Sequence, residues 1–198
     1  MDGNFKELEY KFNADDIKLQ EFIHLMNTLG YHTRKDTSSW DHYYTNANPD
    51  EFQRFRESET PELTKKRKVK STNNWDRVEV DLPLDAKKVT EDIVHAYVSL
   101  DGYKKNFSIY KSCFIFWFDN VNYVYYITYD TNMKELNRFI EVEVNKEKVT
   151  DLLSLRDQEI GSFNGPIQVL NEAEQALKSI GITPQNRMKR SLFELYRR

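Results

Sequence analysis

Apolar and polar residues alternate with period 2 along much of the chain, the spacing that puts side chains on opposite faces of a strand. This pattern predicts strands over about 4–12, 39–46, 52–58, 62–70, 75–82, 106–118, 121–130 and 138–145. Helical spacing takes over elsewhere. Ile17, Phe22, Ile23, Leu25, Met26 and Leu29 make one stripe of a helix over 15–29, which Gly30 stops. A second helix, 90–101, opens on Thr90 as N-cap with Glu91 and Asp92 behind it and ends at Gly102. Residues 146–160 and 166–180 read as a helical pair ending at Gly161 and Gly181, and a short last helix starts at Ser191. Strand, helix, strands, helix, strands, helices is an α+β order dominated by an antiparallel sheet. No repeat recurs along the chain. The stretch Ser162-Phe163-Asn164-Gly165-Pro166 reads as a turn ahead of a helix rather than a linker, so residues 1–198 are expected to form one domain.

The distribution of charge over the strand faces adds to this plan. Glu7, Glu9 and Lys11 share one face of the first strand, opposite Leu8, Tyr10 and Phe12. Arg54 and Arg56 share a face, as do Thr64, Lys66 and Lys68. Arg77, Glu79 and Asp81 lie opposite Val78, Val80 and Leu82, and Glu141 and Glu143 lie opposite Ile140, Val142 and Val144. One reading is a sheet with one solvated face. The other is a closed sheet that turns these faces inward, with helices covering the apolar outside. Acids concentrate in the first and last of these strands and bases between them. Such a lumen suits a polyanion gripped by Arg and Lys beside carboxylates that hold divalent cations.

Composition narrows the classes. With 39% hydrophobic and 14% aromatic residues in 198, the chain can bury enough apolar area to fold, which excludes disorder. A net charge of −3 supplies no global attraction to nucleic acid or to an anionic membrane, and no basic surface for RNA is evident. The one cysteine, Cys113, excludes an intrachain disulfide and a multi-cysteine zinc site. No apolar run approaches membrane-spanning length, and Met1-Asp2-Gly3-Asn4 is too polar for a secretory signal. A cytoplasmic, reducing location is expected.

Several features have ordinary readings. His24, His32, His42 and His95 are scattered without metal-ligand spacing. Lys65-Lys66-Arg67-Lys68 is divided between two strand faces by alternation. The aromatic run Phe114–Phe118 reads as packing, and Cys113 as a small filler.

The ordered motifs resemble the CYTH superfamily, the triphosphate tunnel metalloenzymes. Glu7-Leu8-Glu9-Tyr10-Lys11 is similar to its Glu-x-Glu-x-Lys strand. Asp41-His42-Tyr43-Tyr44-Thr45, Phe52-Gln53-Arg54-Phe55-Arg56, Leu63-Thr64-Lys65-Lys66 and Arg77-Val78-Glu79-Val80-Asp81 follow in the family's order. So do Ile127-Thr128-Tyr129-Asp130, Phe139-Ile140-Glu141-Val142-Glu143, and the closing Ser179-Ile180-Gly181-Ile182 and Arg190-Ser191-Leu192. The chain departs from the pattern at Cys113, where the family has Arg, at Asn137-Arg138, where it has Gly, and at Leu192, where it has Tyr.

The resemblance implies a closed eight-stranded antiparallel β-barrel, a tunnel with a charged lumen flanked by helices. It implies a metal set of Glu7, Glu9, Asp130, Glu141 and Glu143, holding Mg²⁺ or Mn²⁺. Lys11, Arg54, Arg56, Lys66, Arg77 and Lys111 would bind the phosphates, and Glu79 and Asp81 would orient the bases. Glu7, Glu9, Lys11 and Arg56 would be catalytic. The implied activity is metal-dependent hydrolysis of inorganic triphosphate, thiamine triphosphate or a nucleoside triphosphate. The alternatives are a class IV adenylate cyclase, making cyclic AMP and pyrophosphate from ATP, and a non-catalytic binder of nucleotides or polyphosphate. The expected partner is a small-molecule triphosphate or nucleotide, without membrane or nucleic acid, and a homodimer stays open.

Overall fold

A computed structural model describes residues 5–6, 9–68, 77–145 and 165–197. Its backbone is organised by one antiparallel sheet. The first predicted strand is present as two stretches, β1 (Phe5–Lys6) and β2 (Glu9–Asn13). They are followed by β3 (Thr33–Thr45), β4 (Glu51–Glu57), β5 (Glu62–Lys68), β6 (Arg77–Pro83), β7 (Lys104–Trp117), β8 (Val121–Tyr129) and β9 (Glu135–Val144). The strand order is β1-β6-β5-β4-β3-β7-β8-β9-β2.

Laid flat, that order would spread over roughly 38 Å at about 4.8 Å per strand. Lys6 and Glu9 are only three positions apart, so their Cα atoms are separated by at most about 11 Å. The sheet therefore curls until its two ends approach. Among the described residues no ladder joins β1 to β2, so hydrogen bonds do not close the sheet as the expected barrel would. The outer edge of β2 instead meets the C-terminal segment, through a bridge between Phe12 and Arg187 and a hydrogen bond from Met188 N–H to Lys11 C=O at 2.8 Å.

Among the described residues four α-helices pack on the sheet: α1 (Leu19–Leu29), α2 (Glu91–Leu100), α3 (Gly165–Leu177) and α4 (Leu192–Tyr196). The first starts four residues later than its periodicity predicts. Asp15 is engaged elsewhere, accepting hydrogen bonds from Arg138 N–H at 2.7 Å and Asn13 Nδ2 at 2.8 Å, and Glu21 caps Lys18 N–H instead. Gly30 ends the helix in the left-handed region at φ 77°, which costs a residue without Cβ little. Ser191 and Glu194 form the capping box that opens α4. The expected helix over 146–160 lies outside the described residues.

The apolar faces bury as alternation requires. Phe12, Tyr123, Tyr125, Ile140, Val142 and Val144 face Phe22, Leu25 and Met26 of α1 and Leu170, Ala173 and Leu177 of α3. Tyr44, Phe55 and Leu63 meet Val94 and Val98 of α2. A third cluster joins Tyr43, Phe52, Phe107, Tyr126 and Phe139 to Leu192 and Phe193 of α4. Thus helices cover the outside of the sheet on two sides.

Strand β3 is longer than expected. Thr33–Ser38 has no apolar alternation, yet it pairs with the aromatic end of β7, Thr33 opposite Trp117 and Thr37 opposite Cys113. Its partner supplies the apolar surface, so its own residues stay polar.

Candidate active site

A cavity of about 430 Å³ is lined by side chains from every strand β2 to β9. The lining positions alternate as one face of a strand must: Glu9 and Lys11 on β2, Arg54 and Arg56 on β4, Glu141 and Glu143 on β9. The charged faces seen in the sequence therefore point into the curl, and the solvated-face reading does not hold for these strands. Lys11, Lys35, Arg54, Arg56, Lys66 and Lys111 face Glu9, Glu62, Asp81, Glu141 and Glu143 across it. At one end Tyr43, Phe52 and Leu192 form an apolar floor, with Phe193 of α4 stacked on Phe52 at 4.4 Å behind it.

The bases are held in place from the wall. Asp41, on β3 directly opposite Arg56 of β4, is fully buried. Arg56 donates to both of its oxygens, from Nε at 2.9 Å and from NH2 at 3.1 Å, a bidentate pair with a fixed orientation. Lys111 Nζ lies 3.7 Å from the same carboxylate and 4.3 Å from the centre of the Tyr126 ring. Burial alone would push the Asp41 carboxyl up. Arg56, Lys111 and Arg54 outweigh it and hold the group far below the ordinary carboxylate range. Burial works against the Arg56 guanidinium too, and Asp41 overrides it in the same way. Arg54 donates to Glu62 at 3.1 Å and to Thr64 at 2.9 Å, and Thr64 donates on to Asp81 at 2.8 Å.

The acidic wall is built by β2 and β9, where Glu9 stands opposite Glu143 and Lys11 opposite Glu141. Glu141 pairs with Lys11 Nζ at 2.8 Å and accepts the Tyr126 hydroxyl at 2.8 Å. Burial raises its carboxyl, but Lys11 and Lys111 outweigh that and keep it below its usual value. Glu9 lies 3.5 Å from Lys11 Nζ. Among the described residues, no three His, Cys, Asp or Glu side chains gather closely enough to hold a metal ion.

Of the residues singled out in the sequence, the cavity brings together Glu9, Lys11, Arg54, Arg56, Lys66, Asp81, Lys111, Glu141 and Glu143. Glu7 lies outside the described residues, as do the side chains of Arg77 and Glu79. Asp130 is not a lining residue. Its carboxylate accepts from Asn132 N–H at 2.8 Å and Lys134 N–H at 2.9 Å, tying the turn between β8 and β9. Cys113 lines the cavity in the place of the expected Arg, and burial pushes its thiol up. Sequence reasoning missed Lys35 and Thr37, which lie in the polar run before the first apolar alternation of β3. It also missed Trp117 and Asn122, whose signal was parity with Cys113 on β7 and, through the β7–β8 pairing, across to β8.

Comparison with protein-family models finds no match, and neither does comparison with curated proteins. Solved structures do match. A conserved hypothetical protein from Pyrococcus furiosus superposes with a TM-score of 0.66 at 20% identity, over 96% of this chain and 99% of that one. A "putative adenylate cyclase" from Bacillus halodurans gives 0.61 at 14% identity, over 98% and 99%. The Pct1 RNA triphosphatase of Schizosaccharomyces pombe, in complex with the Spt5 CTD, gives 0.53 at 11% identity, over 88% and 86%. The chain shares its fold with these structures. Among the described residues no helix is long and apolar enough to cross a membrane.

Proposed function

We propose that the chain is a divalent-cation-dependent phosphohydrolase that binds a triphosphate in the cavity, within a tunnel completed by the approach of the sheet's two ends. One observation carries this reading: six Lys and Arg side chains from five strands converge with five carboxylates in a single cavity. A phosphate chain is the ligand whose charge those bases would neutralise, and Arg56 and Lys111 are already fixed by Asp41 for the task.

Hydrolysis would need water to attack the terminal phosphorus as the bridging P–O bond breaks, releasing phosphate. That chemistry asks for positioning and charge neutralisation rather than a protein nucleophile. Arg54, Arg56 and Lys111 would hold the non-bridging oxygens. Lys66 and Lys11 would add point charges from the neighbouring walls.

The donor set fits a hard cation. Glu9 and Glu143 are carboxylates facing each other across β2 and β9, and phosphate oxygens with Glu7 would supply the remaining ligands. When bound, Mg²⁺ or Mn²⁺ would neutralise developing phosphate charge and lower the pKa of a coordinated water. Asp130 is left out of this set because it does not line the cavity and its Oδ1 serves the hairpin.

A second reading, cyclisation of ATP by attack of the ribose 3′-hydroxyl on the α-phosphorus with loss of pyrophosphate, is favoured by the likeness to the Bacillus halodurans structure. The test is a panel of tripolyphosphate, thiamine triphosphate and nucleoside triphosphates with Mg²⁺ and with Mn²⁺, products separated by chromatography. Phosphate release supports hydrolysis. Cyclic AMP with pyrophosphate from ATP replaces it by cyclisation. Metal-independent binding without turnover leaves a non-catalytic binder and defeats both.

A further inference from the structure

We infer that Tyr126 is a positioning residue of the cavity, holding Lys111 on the face of its ring and Glu141 on its hydroxyl so that the two groups act separately. This rests on the triphosphate reading above and adds to it the side chain that joins the basic wall to the acidic one. Tyr126 is fully buried and does not line the cavity, so it acts through its neighbours and touches no substrate.

The contacts pass from strand to strand without a break. Arg56 of β4 binds Asp41 of β3, and Asp41 faces Lys111 of β7. Lys111 lies over the Tyr126 ring of β8, the Tyr126 hydroxyl donates to Glu141 of β9, and Glu141 pairs with Lys11 of β2. These strands are successive neighbours in the sheet, so the series follows the curl around the cavity. Charges alternate over Arg56, Asp41 and Lys111, and again over Glu141 and Lys11. Tyr126 is the uncharged member between the two runs.

Register explains how one side chain reaches both. Lys111 is opposite Thr128 and Glu141 is opposite Val124, so each sits two positions off Tyr126 on a flanking strand. Such diagonal neighbours are within reach of an aromatic side chain. Lys111 Nζ is 4.3 Å from the ring centre, and the hydroxyl is 2.8 Å from Glu141 Oε1. The ring's face is its negative side and attracts the ammonium. Its O–H is a donor and suits the carboxylate. Burial and the nearby Glu141 push the hydroxyl well above the ordinary tyrosine range, so it stays a donor at neutral pH.

Among the described residues Lys111 has its ion pair with Asp41 and Glu141 has its own with Lys11; none joins Lys111 to Glu141. Without the ring, the flexible Lys111 stem would be free to turn towards that carboxylate, and a base would be lost to phosphate binding. Cys113 is directly opposite Tyr126, in the place of the expected Arg, so Lys111 is the base that β7 contributes to the lining. Its placement therefore carries more of the site.

The experiment measures kcat and Kd for tripolyphosphate, thiamine triphosphate and ATP, each with Mg²⁺, in the wild type, Tyr126→Phe and Tyr126→Leu. Tyr126→Phe keeps the ring and loses the hydroxyl. The Lys11–Glu141 pair then keeps its charges but loses its anchor, so kcat should fall by about ten- to a hundred-fold, the scale of a misplaced group. Kd should stay within about two-fold of the wild type, because no charge has been removed. Tyr126→Leu loses the ring as well, and Kd should rise by about five- to thirty-fold, the worth of a desolvated cation–π contact. A phenylalanine with ring fluorines at position 126 keeps the shape and strips negative charge from the face. It should raise Kd as Tyr126→Leu does, and it serves where the smaller residue does not fold. Wild-type kcat in Tyr126→Phe, or a Kd unchanged by the fluorinated ring, overturns the inference and leaves the hydrolase reading standing. A Kd raised as far in Tyr126→Phe as in Tyr126→Leu marks a merely structural role and overturns it as well. A wild type that turns over none of the three compounds overturns both readings together.

Discussion

Asp41→Asn removes one charge from the most enclosed ion pair in the cavity wall while keeping the side chain's size. In the wild type the fully buried carboxylate receives two hydrogen bonds from Arg56, at 2.9 and 3.1 Å, and faces Lys111 at 3.7 Å. The amide can accept from Arg56 at one oxygen only, and it leaves two cations side by side. Breaking a buried pair by removing one partner costs about 3–5 kcal/mol. Arg56 is 30% exposed, so water recovers part of the loss and the lower end, about 3 kcal/mol, applies. For a chain of this size that is a fall in melting temperature of roughly 6–12 °C. The sign with pH follows from the depressed Asp41 carboxyl. Its stabilisation is fully present above the ordinary carboxylate pKa of about 4 and is lost as pH falls from there towards the depressed folded value. Urea unfolding of both proteins from pH 7 to pH 3 is the assay. The gap between them should be constant above about pH 5 and narrow below about pH 4. A gap at pH 7 no larger than the roughly 1 kcal/mol of an exposed pair, or one that does not narrow in acid, refutes the reasoning.

Glu143→Gln should cut metal-dependent turnover by about a hundred-fold, the scale of losing one charge-stabilising group. It should change the melting temperature little, because Glu143 faces a like-charged Glu9; a large drop in a thermal melt would mark the residue as structural. Phe193→Ala removes the ring stacked on Phe52 at 4.4 Å and near Tyr43 and Phe107, at 6.2 Å from each. It should cost about 3–4 kcal/mol in denaturant unfolding, and a cost under about 1 kcal/mol would show that Phe193 does not back the cavity's apolar floor. Cys113 lines the cavity with its thiol pushed up by burial, so alkylation by iodoacetamide should be slow at pH 7, faster at pH 9 and blocked by bound triphosphate. Alkylation at the same rate with and without a saturating triphosphate would place that ligand elsewhere.

Which parts of this were legible beforehand follows from how strands encode a face. Period 2 is a local property, so Glu9 with Lys11, Arg54 with Arg56 and Glu141 with Glu143 could be grouped without knowing any neighbour, and each pair lines the cavity. Strand order is not local. That β3 runs between β4 and β7, and so delivers Asp41 to Arg56 on one side and towards Lys111 on the other, depends on pairings across the chain. Asp41 was visible only as the first residue of a motif, and its buried role as a counter-ion needed both neighbours.

Asp130 illustrates the opposite case. Its place at the end of a strand matched an expected ligand position. The turn that follows, with Met133 at φ 61°, leaves two backbone N–H groups aimed at its carboxylate, and a local demand of that kind takes precedence over a distant one. The polar start of β3 failed for a related reason. A strand whose partner is Phe114, Phe116 and Trp117 of β7 needs no apolar pattern of its own to pair, so Arg34 and Asp36 could pair with each other at 2.7 Å, and their sequence looked like a loop. Charge inside the sheet was therefore readable wherever the outward face was apolar. It became unreadable where the outward face was polar too, because alternation then has no contrast to show.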